Sequence, residues 1–145
     1  MTAISTREPA RAISNAMVME RDANEQELMA TVLVYGTLKR GHANHHWLAG
    51  APFLGEGVMA GLALHDLGPF PMAVPSSNNN LLHGELYRVN RSTLAGLDRL
   101  EGTPRLYERW LHPLQGGGEA WVYVGRARQV RHSPRLADGR WPGSR

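Results

Sequence analysis

The sequence contains no cysteine, one lysine and no long apolar run. Without cysteine, the 145-residue chain cannot form disulfides, thiolate metal clusters or a cysteine nucleophile. No apolar segment approaches the roughly 20 residues needed to cross a bilayer, and the opening residues MTAISTREPA lack the apolar core of a secretory signal. Hydrophobic residues make up 42% of the chain and charged residues 20%, which is typical of one globular domain. We therefore expect a cytoplasmic protein with no membrane partner.

The excess of basic residues is confined to the C-terminal end. Residues 126–145 contain six arginines and one aspartate, whereas residues 1–125 carry a net charge of −2. No RNP-like aromatic strand, helix-turn-helix or zinc-finger spacing accompanies this charge, so we expect no nucleic-acid partner. The sequence predicts a flexible extension over residues 1–30, a folded domain over 31–125 and a basic tail over 126–145.

Short apolar runs separated by glycine and proline predict a domain rich in β-structure. The predicted strands lie at 31–35, at 55–64 in bent or bulged form, at 83–89, and at 107–114 and 119–124 as a hairpin around three glycines. Residues 66–80 are rich in Pro, Gly, Ser and Asn, which predicts a loop with a short edge strand at 72–74.

One helix is predicted between residues 90 and 104. Asn90 or Ser92 can cap its start, Gly102 suits a left-handed residue after its end, and Pro104 prevents its continuation.

Glu101 lies on the apolar face of that helix. At about 100° per residue it falls between Leu94 and Leu97. Burial raises the pKa of a carboxyl group, and the negative end of the helix dipole acts in the same direction. Glu101 is therefore a candidate for proton transfer near neutral pH. The alternative is a glutamate at a frayed helix end that faces solvent or pairs with Arg105 or Arg109.

The turn after the first strand is a second candidate element. In VYGTLKRG, residues 34–41, Gly36 permits a sharp turn, so the N–H groups of Gly36, Thr37 and Leu38 can converge on a carboxylate or an oxyanion. The alternative is an ordinary turn without a ligand.

Four blocks together resemble the γ-glutamylcyclotransferase family, and within it the γ-glutamylamine cyclotransferases. They are VYGTLKRGHANHH at 34–46, HGELYRV at 83–89, LDRLEGTPRLYERW at 97–110 and AWVYV at 120–124. The combination of YGTLKRG with LDxxEGxPxxYxR is specific, whereas either half alone is not. The resemblance covers about residues 31–125.

The resemblance implies an α+β fold, a small mixed β-barrel with flanking helices. By position, Glu101 matches the family's proton-transferring glutamate, and Tyr35, Gly36, Thr37 and Leu38 match its substrate-holding turn. Tyr107 matches a tyrosine beside the cavity. The loop at 66–80 is where differences that shape the substrate are expected.

The reaction implied by the resemblance is a cyclisation that needs no cofactor. The α-amine of a γ-glutamyl amine attacks its own γ-carbonyl, which releases 5-oxoproline and a free amine, and one glutamate serves as base and acid. The small-molecule substrate is a γ-glutamyl amine whose leaving amine is left open. The alternative function is a binding or regulatory domain of the same fold without turnover.

Other chemistries have weaker support in the sequence. His42, His45 and His46 could place imidazoles close together, but no carboxylate stands nearby to complete a metal site, so we expect no metal. No GxSxG motif is present, and neither glycine-rich stretch opens a helix within a βαβ unit, which argues against a serine hydrolase and against nucleotide binding.

Overall fold

The computed structural model describes residues 29–143, which form one mixed β-sheet with few helices. The strands are β1 (Met29–Val34), β2 (Phe53–Ala60), β3 (Leu62–Asp66), β4 (Pro71–Pro75), β5 (Leu81–Asn90), β6 (Glu108–Pro113), β7 (Glu119–Val124) and β8 (Arg135–Leu136). The helices are α1 (Arg91–Leu100) and two 3-10 helices, His45–Leu48 and Ala127–Val130. None of these described helices is long and apolar enough to span a lipid bilayer.

The strands are ordered β2-β5-β1-β7-β4-β3-β8, and β6 pairs with β7 outside this path. Strand β7 runs parallel to both β1 and β4, while the other pairs are antiparallel. The expected mixed sheet is confirmed, but "barrel" fits it only loosely because no continuous ladder among the described strands closes it. The gap between β8 and β5 is crossed by the hydrogen bond that His83 N donates to Gly139 O at 2.9 Å.

Strand β4 corrects the prediction for residues 66–80. The sequence predicts a short edge strand at 72–74, but β4 is an interior strand, with β7 on one side and β3 on the other. Met72 and Ala73 are fully buried. The two prolines that suggested an edge stand at the ends of β4, where a missing N–H interrupts the ladder least.

The C-terminal segment corrects the predicted domain boundary. The tail was expected from residue 126, yet residues 126–143 pack against the domain. They form the second 3-10 helix and β8, and bury Val130 and Trp141. Arginines that suggested a tail stay exposed, among them Arg128 and Arg131, because the apolar residues between them fill the core. The predicted extension lies outside the described residues up to position 28, and β1 begins at Met29.

The buried residues form two clusters, one on each face of the sheet. Successive side chains of a strand point to opposite faces, so Val32 and Val34 join the first cluster while Leu33 and Tyr35 join the second. Helix α1 packs on the first cluster through the fully buried Leu97. The first cluster therefore brings the end of α1 close to the end of β1.

Trp141 provides a test of the packed C-terminal segment. Its side chain is 2% exposed within the second cluster. We expect Trp141→Ala to lower the free energy of unfolding by about 3–5 kcal/mol, as large-to-small changes in cores do. Urea denaturation measures this, with the exposed Arg131→Ala as the matched control. Equal unfolding midpoints for the two variants would show that the segment adds nothing to stability.

Candidate functional site

A cavity of about 370 Å³ opens between the end of β1 and the end of α1. This volume lies at the small end of the range for small-molecule sites, about 300–1,000 Å³. The lining residues come from six parts of the chain: Leu33–Leu38, Ala43 and Asn44, Pro69–Pro71, Leu100 and Glu101, Leu106 and Tyr107, and Tyr123. All six residues singled out from the sequence, Tyr35, Gly36, Thr37, Leu38, Glu101 and Tyr107, line this one cavity.

The turn after β1 forms one wall and is held by its neighbours. Asn44 donates to Thr37 twice, from its backbone N to Thr37 O at 2.8 Å and from Nδ2 to Thr37 Oγ1 at 3.0 Å. His45 Nδ1 lies 2.9 Å from Leu38 O, a hydrogen bond in which the ring nitrogen donates. Within residues 29–143, the backbone N–H groups of Gly36, Thr37 and Leu38 donate to no acceptor. These three donors are therefore available to a ligand.

Gly36 is required by the close approach of Pro71. A Cβ atom at position 36 would lie 2.7 Å from Pro71 Cδ and Cγ, closer than such atoms approach in proteins. Pro71 O in turn accepts a hydrogen bond from Tyr107 Oη at 2.7 Å. Glycine at position 36 thus lets the turn, the start of β4 and Tyr107 meet at one place.

The C-terminal segment supports the same turn. Lys39 Nζ donates to Trp141 O at 2.9 Å, and the rings of His42 and Trp141 lie 5.4 Å apart. Burial lowers the pKa of Lys39 from its ordinary value. The residues that follow the turn are therefore anchored to a segment about 100 positions away in sequence.

Glu101 follows the last residue of α1 and faces the cavity. The predicted helix is confirmed, with Asn90 as the capping residue: its Oδ1 accepts from Thr93 N at 2.8 Å. Glu101 N still donates to Leu97 O at 2.8 Å, and Gly102 then takes a left-handed conformation with φ of 67°. This ending directs the Glu101 side chain inward.

Burial raises the pKa of Glu101 to about 7. The cause is loss of hydration, since the charged form of a carboxyl depends most on water. Among the described residues, the Glu101 carboxyl has no hydrogen-bond or ion-pair partner. The alternative pairing with Arg109 is absent, because Arg109 Nε binds Asp98 Oδ1 at 2.8 Å. Glu101 is thus a half-buried carboxyl able to gain and lose a proton near pH 7.

Three tyrosines line the cavity with their rings while their hydroxyl groups bind the protein. Tyr35 Oη donates to Tyr123 O at 2.6 Å and accepts from Ala73 N at 3.1 Å, and Tyr107 Oη donates to Pro71 O. Burial raises the pKa of each tyrosine well above its usual range, so all three stay protonated. Their hydroxyl protons are therefore used in hydrogen bonds within the protein.

Asp98 connects Tyr123, which lines the cavity, to Arg109 on strand β6 of the hairpin. Its Oδ1 accepts from Tyr123 Oη at 2.9 Å and from Arg109 Nε, while the Arg109 guanidinium lies 4.2 Å from the centre of the Trp121 ring. This network fixes Tyr123 beside Glu101, one helical turn beyond Asp98.

The histidines near the turn face different partners. His42 stacks on Trp141, His45 binds Leu38 O and His46 lies beside Trp47. No group of three His, Asp or Glu side chains within residues 29–143 could hold a metal ion.

Comparison with known proteins identifies the family to which this chain belongs. The sequence model described as "Gamma-glutamyl cyclotransferase, AIG2-like" matches residues 32–143. The chain belongs to this family. Its match extends past residue 125 and includes the C-terminal segment that packs against the turn.

Relatives and a solved structure agree with this placement. The chain is 38% identical over 110 residues to a gamma-glutamylcyclotransferase family protein, ytfP, of Citrobacter rodentium, covering 76% of this chain and 93% of that one. It is 37% identical over 112 residues to gamma-glutamylaminecyclotransferase A of Danio rerio, covering 66% and 69%. The solution structure of ytfP from Escherichia coli matches with a TM-score of 0.58 at 37% identity, covering 77% of this chain and 96% of that one.

Some cavity residues have little or no signal in the sequence. Pro69 and Phe70 fall within the loop where substrate-shaping residues were expected, although nothing local singles them out. Asp98 precedes Glu101 by three residues, a helical spacing that places both on one side of α1 and could have drawn attention to it. Nothing in the sequence indicates that Trp141 is buried, because the basic residues around it are typical of a tail.

The raised pKa of Glu101 predicts a specific effect of pH on stability. The folded protein holds the Glu101 proton more tightly than the unfolded chain, so the free energy of unfolding falls as pH rises from the ordinary pKa of 4.5 towards about 7. Glu101→Gln removes this contribution. We expect the variant to gain about 2 kcal/mol relative to the wild type between pH 5 and pH 8, measured by urea denaturation. A difference that does not change with pH would contradict the raised pKa.

Proposed function

We propose that this protein is a γ-glutamyl cyclotransferase that converts a γ-glutamyl amine into 5-oxoproline and a free amine. The observation that carries the proposal is that one small cavity is lined both by a carboxyl with a pKa near 7 and by three residues whose backbone N–H groups have no acceptor within residues 29–143. Membership of the γ-glutamyl cyclotransferase family supports the same reaction.

The reaction is a ring closure that conserves every atom of the substrate. The unprotonated α-amine attacks the γ-carbonyl carbon, a new C–N bond forms, and the carbonyl oxygen gains negative charge. The bond from this carbon to the leaving nitrogen then breaks. The attacking nitrogen loses one proton and the leaving nitrogen gains one, so nothing is oxidised or reduced.

Glu101 is the group we assign to this proton transfer. As a carboxylate it accepts the proton of the attacking amine, and as the resulting acid it delivers that proton to the leaving nitrogen. A group that serves in both directions is most effective when its pKa lies near the working pH, and the pKa of Glu101 is raised to about 7. Since the side chain has no partner among the described residues, it is free to face both nitrogens.

We assign to the turn the binding of the negative charges of the substrate. The N–H groups of Gly36, Thr37 and Leu38 are suited to the α-carboxylate or to the developing oxyanion. The rings of Tyr35, Tyr107 and Tyr123 form rigid walls because their hydroxyl groups are bound to the protein. Such walls favour the folded conformation of the γ-glutamyl chain in which the amine reaches its own γ-carbonyl.

The decisive experiment measures 5-oxoproline release by Glu101→Gln. We expect the variant to fold and to lose at least about a hundredfold in kcat, since general acid–base catalysis contributes about that much or more. The control is Glu119→Gln, which removes an exposed carboxyl in the hairpin. The substrates should include γ-glutamyl alkylamides together with γ-glutamyl-ε-lysine, γ-glutamyl dipeptides and γ-glutamylated aminoglycosides.

Turnover by folded Glu101→Gln at the wild-type rate would refute the role of Glu101. A wild-type protein that binds these amides without releasing 5-oxoproline would instead be a binding domain of the same fold.

The turn predicts a second effect on activity. Gly36→Ala places a methyl group 2.7 Å from Pro71, so the turn must move and its N–H groups lose their alignment. We expect kcat/KM to fall roughly tenfold or more, because small displacements of positioned groups cost that much. Gly96→Ala in α1 is the control, since its methyl group meets only Arg99 Nη2 at 3.9 Å. Equal kcat/KM for both variants would exclude the turn from the site.

A further inference from the structure

The cavity has a buried end and an exposed end of different character. Tyr35, Leu38 and Tyr107 at the buried end are almost inaccessible to water. The exposed lining residues are Ala43, Pro69 and Leu106, and together with the half-buried Phe70 we call them the apolar rim. Thr37 and Asn44 are also half-buried lining residues, and they hydrogen-bond to each other. Glu101 is half-buried, as is Phe70. The lining residues most open to solvent, where a leaving amine can depart, are therefore all apolar.

Leu106 is held in place although its side chain is 42% exposed. Leu106 N donates to Gly102 O at 2.9 Å, and Leu106 O accepts from Gln129 Nε2 at 2.9 Å. Arg126 holds the preceding residues, donating to Pro104 O at 2.8 Å and to Arg105 O at 2.9 Å. A large apolar side chain fixed at a cavity mouth offers a preformed contact for an apolar ligand group.

Phe70 lies at the same mouth and is also fixed. Its ring meets the Tyr107 ring at a centroid distance of 6.5 Å and an angle of 60°, an edge-on contact. Its backbone O accepts from Leu67 N at 3.0 Å. Phe70 and Leu106 therefore present apolar side chains at the cavity mouth on backbone that hydrogen bonds hold in place.

The charges at the rim do not suit a cation. Among the described lining residues, Glu101 is the only carboxylic acid, and the proposed reaction already uses it. The charged residues closest in sequence to Leu106 are Arg105 and Glu108. Glu108 does not line the cavity, and its carboxylate is already paired, with Oε2 at 3.0 Å from Arg126 Nη2 and Oε1 accepting from Trp110 Nε1 at 3.0 Å. A second ammonium on the leaving amine would lose hydration against the apolar rim without gaining a partner, which is costly.

We infer that the substrates of this site are γ-glutamyl amides whose leaving amine carries an uncharged alkyl or aromatic substituent, which packs on Phe70 and Leu106. This inference rests on the proposed cyclotransferase function and adds the class of leaving amine to it. Amides of diamines, which keep a second ammonium, are the poor substrates.

Two amides of equal chain length test the inference. In γ-glutamyl-n-pentylamide the leaving amine ends in a methyl group, whereas in mono-γ-glutamyl-cadaverine it ends in an ammonium. We expect kcat/KM for 5-oxoproline release to be at least roughly tenfold higher for the pentylamide, the discrimination that a small change in an apolar pocket provides. Leu106→Glu adds a carboxylate at the rim and should reduce this ratio at least tenfold. Leu111→Glu, at an exposed leucine of β6 outside the cavity, should leave it unchanged.

The outcomes separate this inference from the proposed function. Release of 5-oxoproline from both amides at equal rates, or faster from the cadaverine amide, overturns the inference and leaves the cyclotransferase function standing. Release from neither amide or any other γ-glutamyl amine overturns the function. In that case the affinity of Glu101→Gln for the two amides, measured by calorimetry, still tests the preference of the rim for an uncharged substituent. Tighter binding of the pentylamide supports this preference, and equal binding or no binding overturns it.

Discussion

The burial of the Glu101 carboxyl without a counter-charge is the constraint on which the site depends. A salt bridge would hold this group in its charged form, and open solvent would leave its pKa near 4.5. Here the nearest arginine on the hairpin, Arg109, is already bound to Asp98. Loss of hydration therefore acts alone and raises the pKa of Glu101 to about 7. The folded protein bears the cost of keeping this carboxyl away from water, and it gains a group that changes protonation in the neutral range.

The rest of the cavity is built so that little else near Glu101 can move or ionise. The tyrosine hydroxyl groups bind backbone or Asp98 acceptors, and their raised pKa values keep them protonated. The turn is held from two sides, by Asn44 within its own loop and by Trp141 through Lys39. Within residues 29–143, the Glu101 carboxyl and the three backbone N–H groups of the turn stay available to a ligand, beside apolar surface. This combination suits a small anionic molecule whose reaction requires a proton to be moved over a short distance.

Features that depend on neighbours in sequence could be predicted well. The helix followed from its capping residue, its leucine spacing and Gly102, and the same spacing placed Glu101 on the apolar face. The hairpin followed from two β-branched, aromatic runs around three glycines. The interior position of β4 was missed because its prolines and the polar residues around it are typical of an edge, and its burial comes from pairing with β7, about 50 residues later.

The sequence by itself determined the small, cysteine-free domain, the resemblance to a family, the helix with Glu101 at its end and the glycine turn after the first strand. Only the tertiary structure decided that these two elements line one cavity, that Tyr123, held by Asp98, completes its wall, and that residues 126–143 belong to the domain. The physical reason is the range of the forces involved. Periodicity and capping are local properties of the chain, whereas the burial of Trp141 and the loss of water around Glu101 require segments far apart in sequence to pack together.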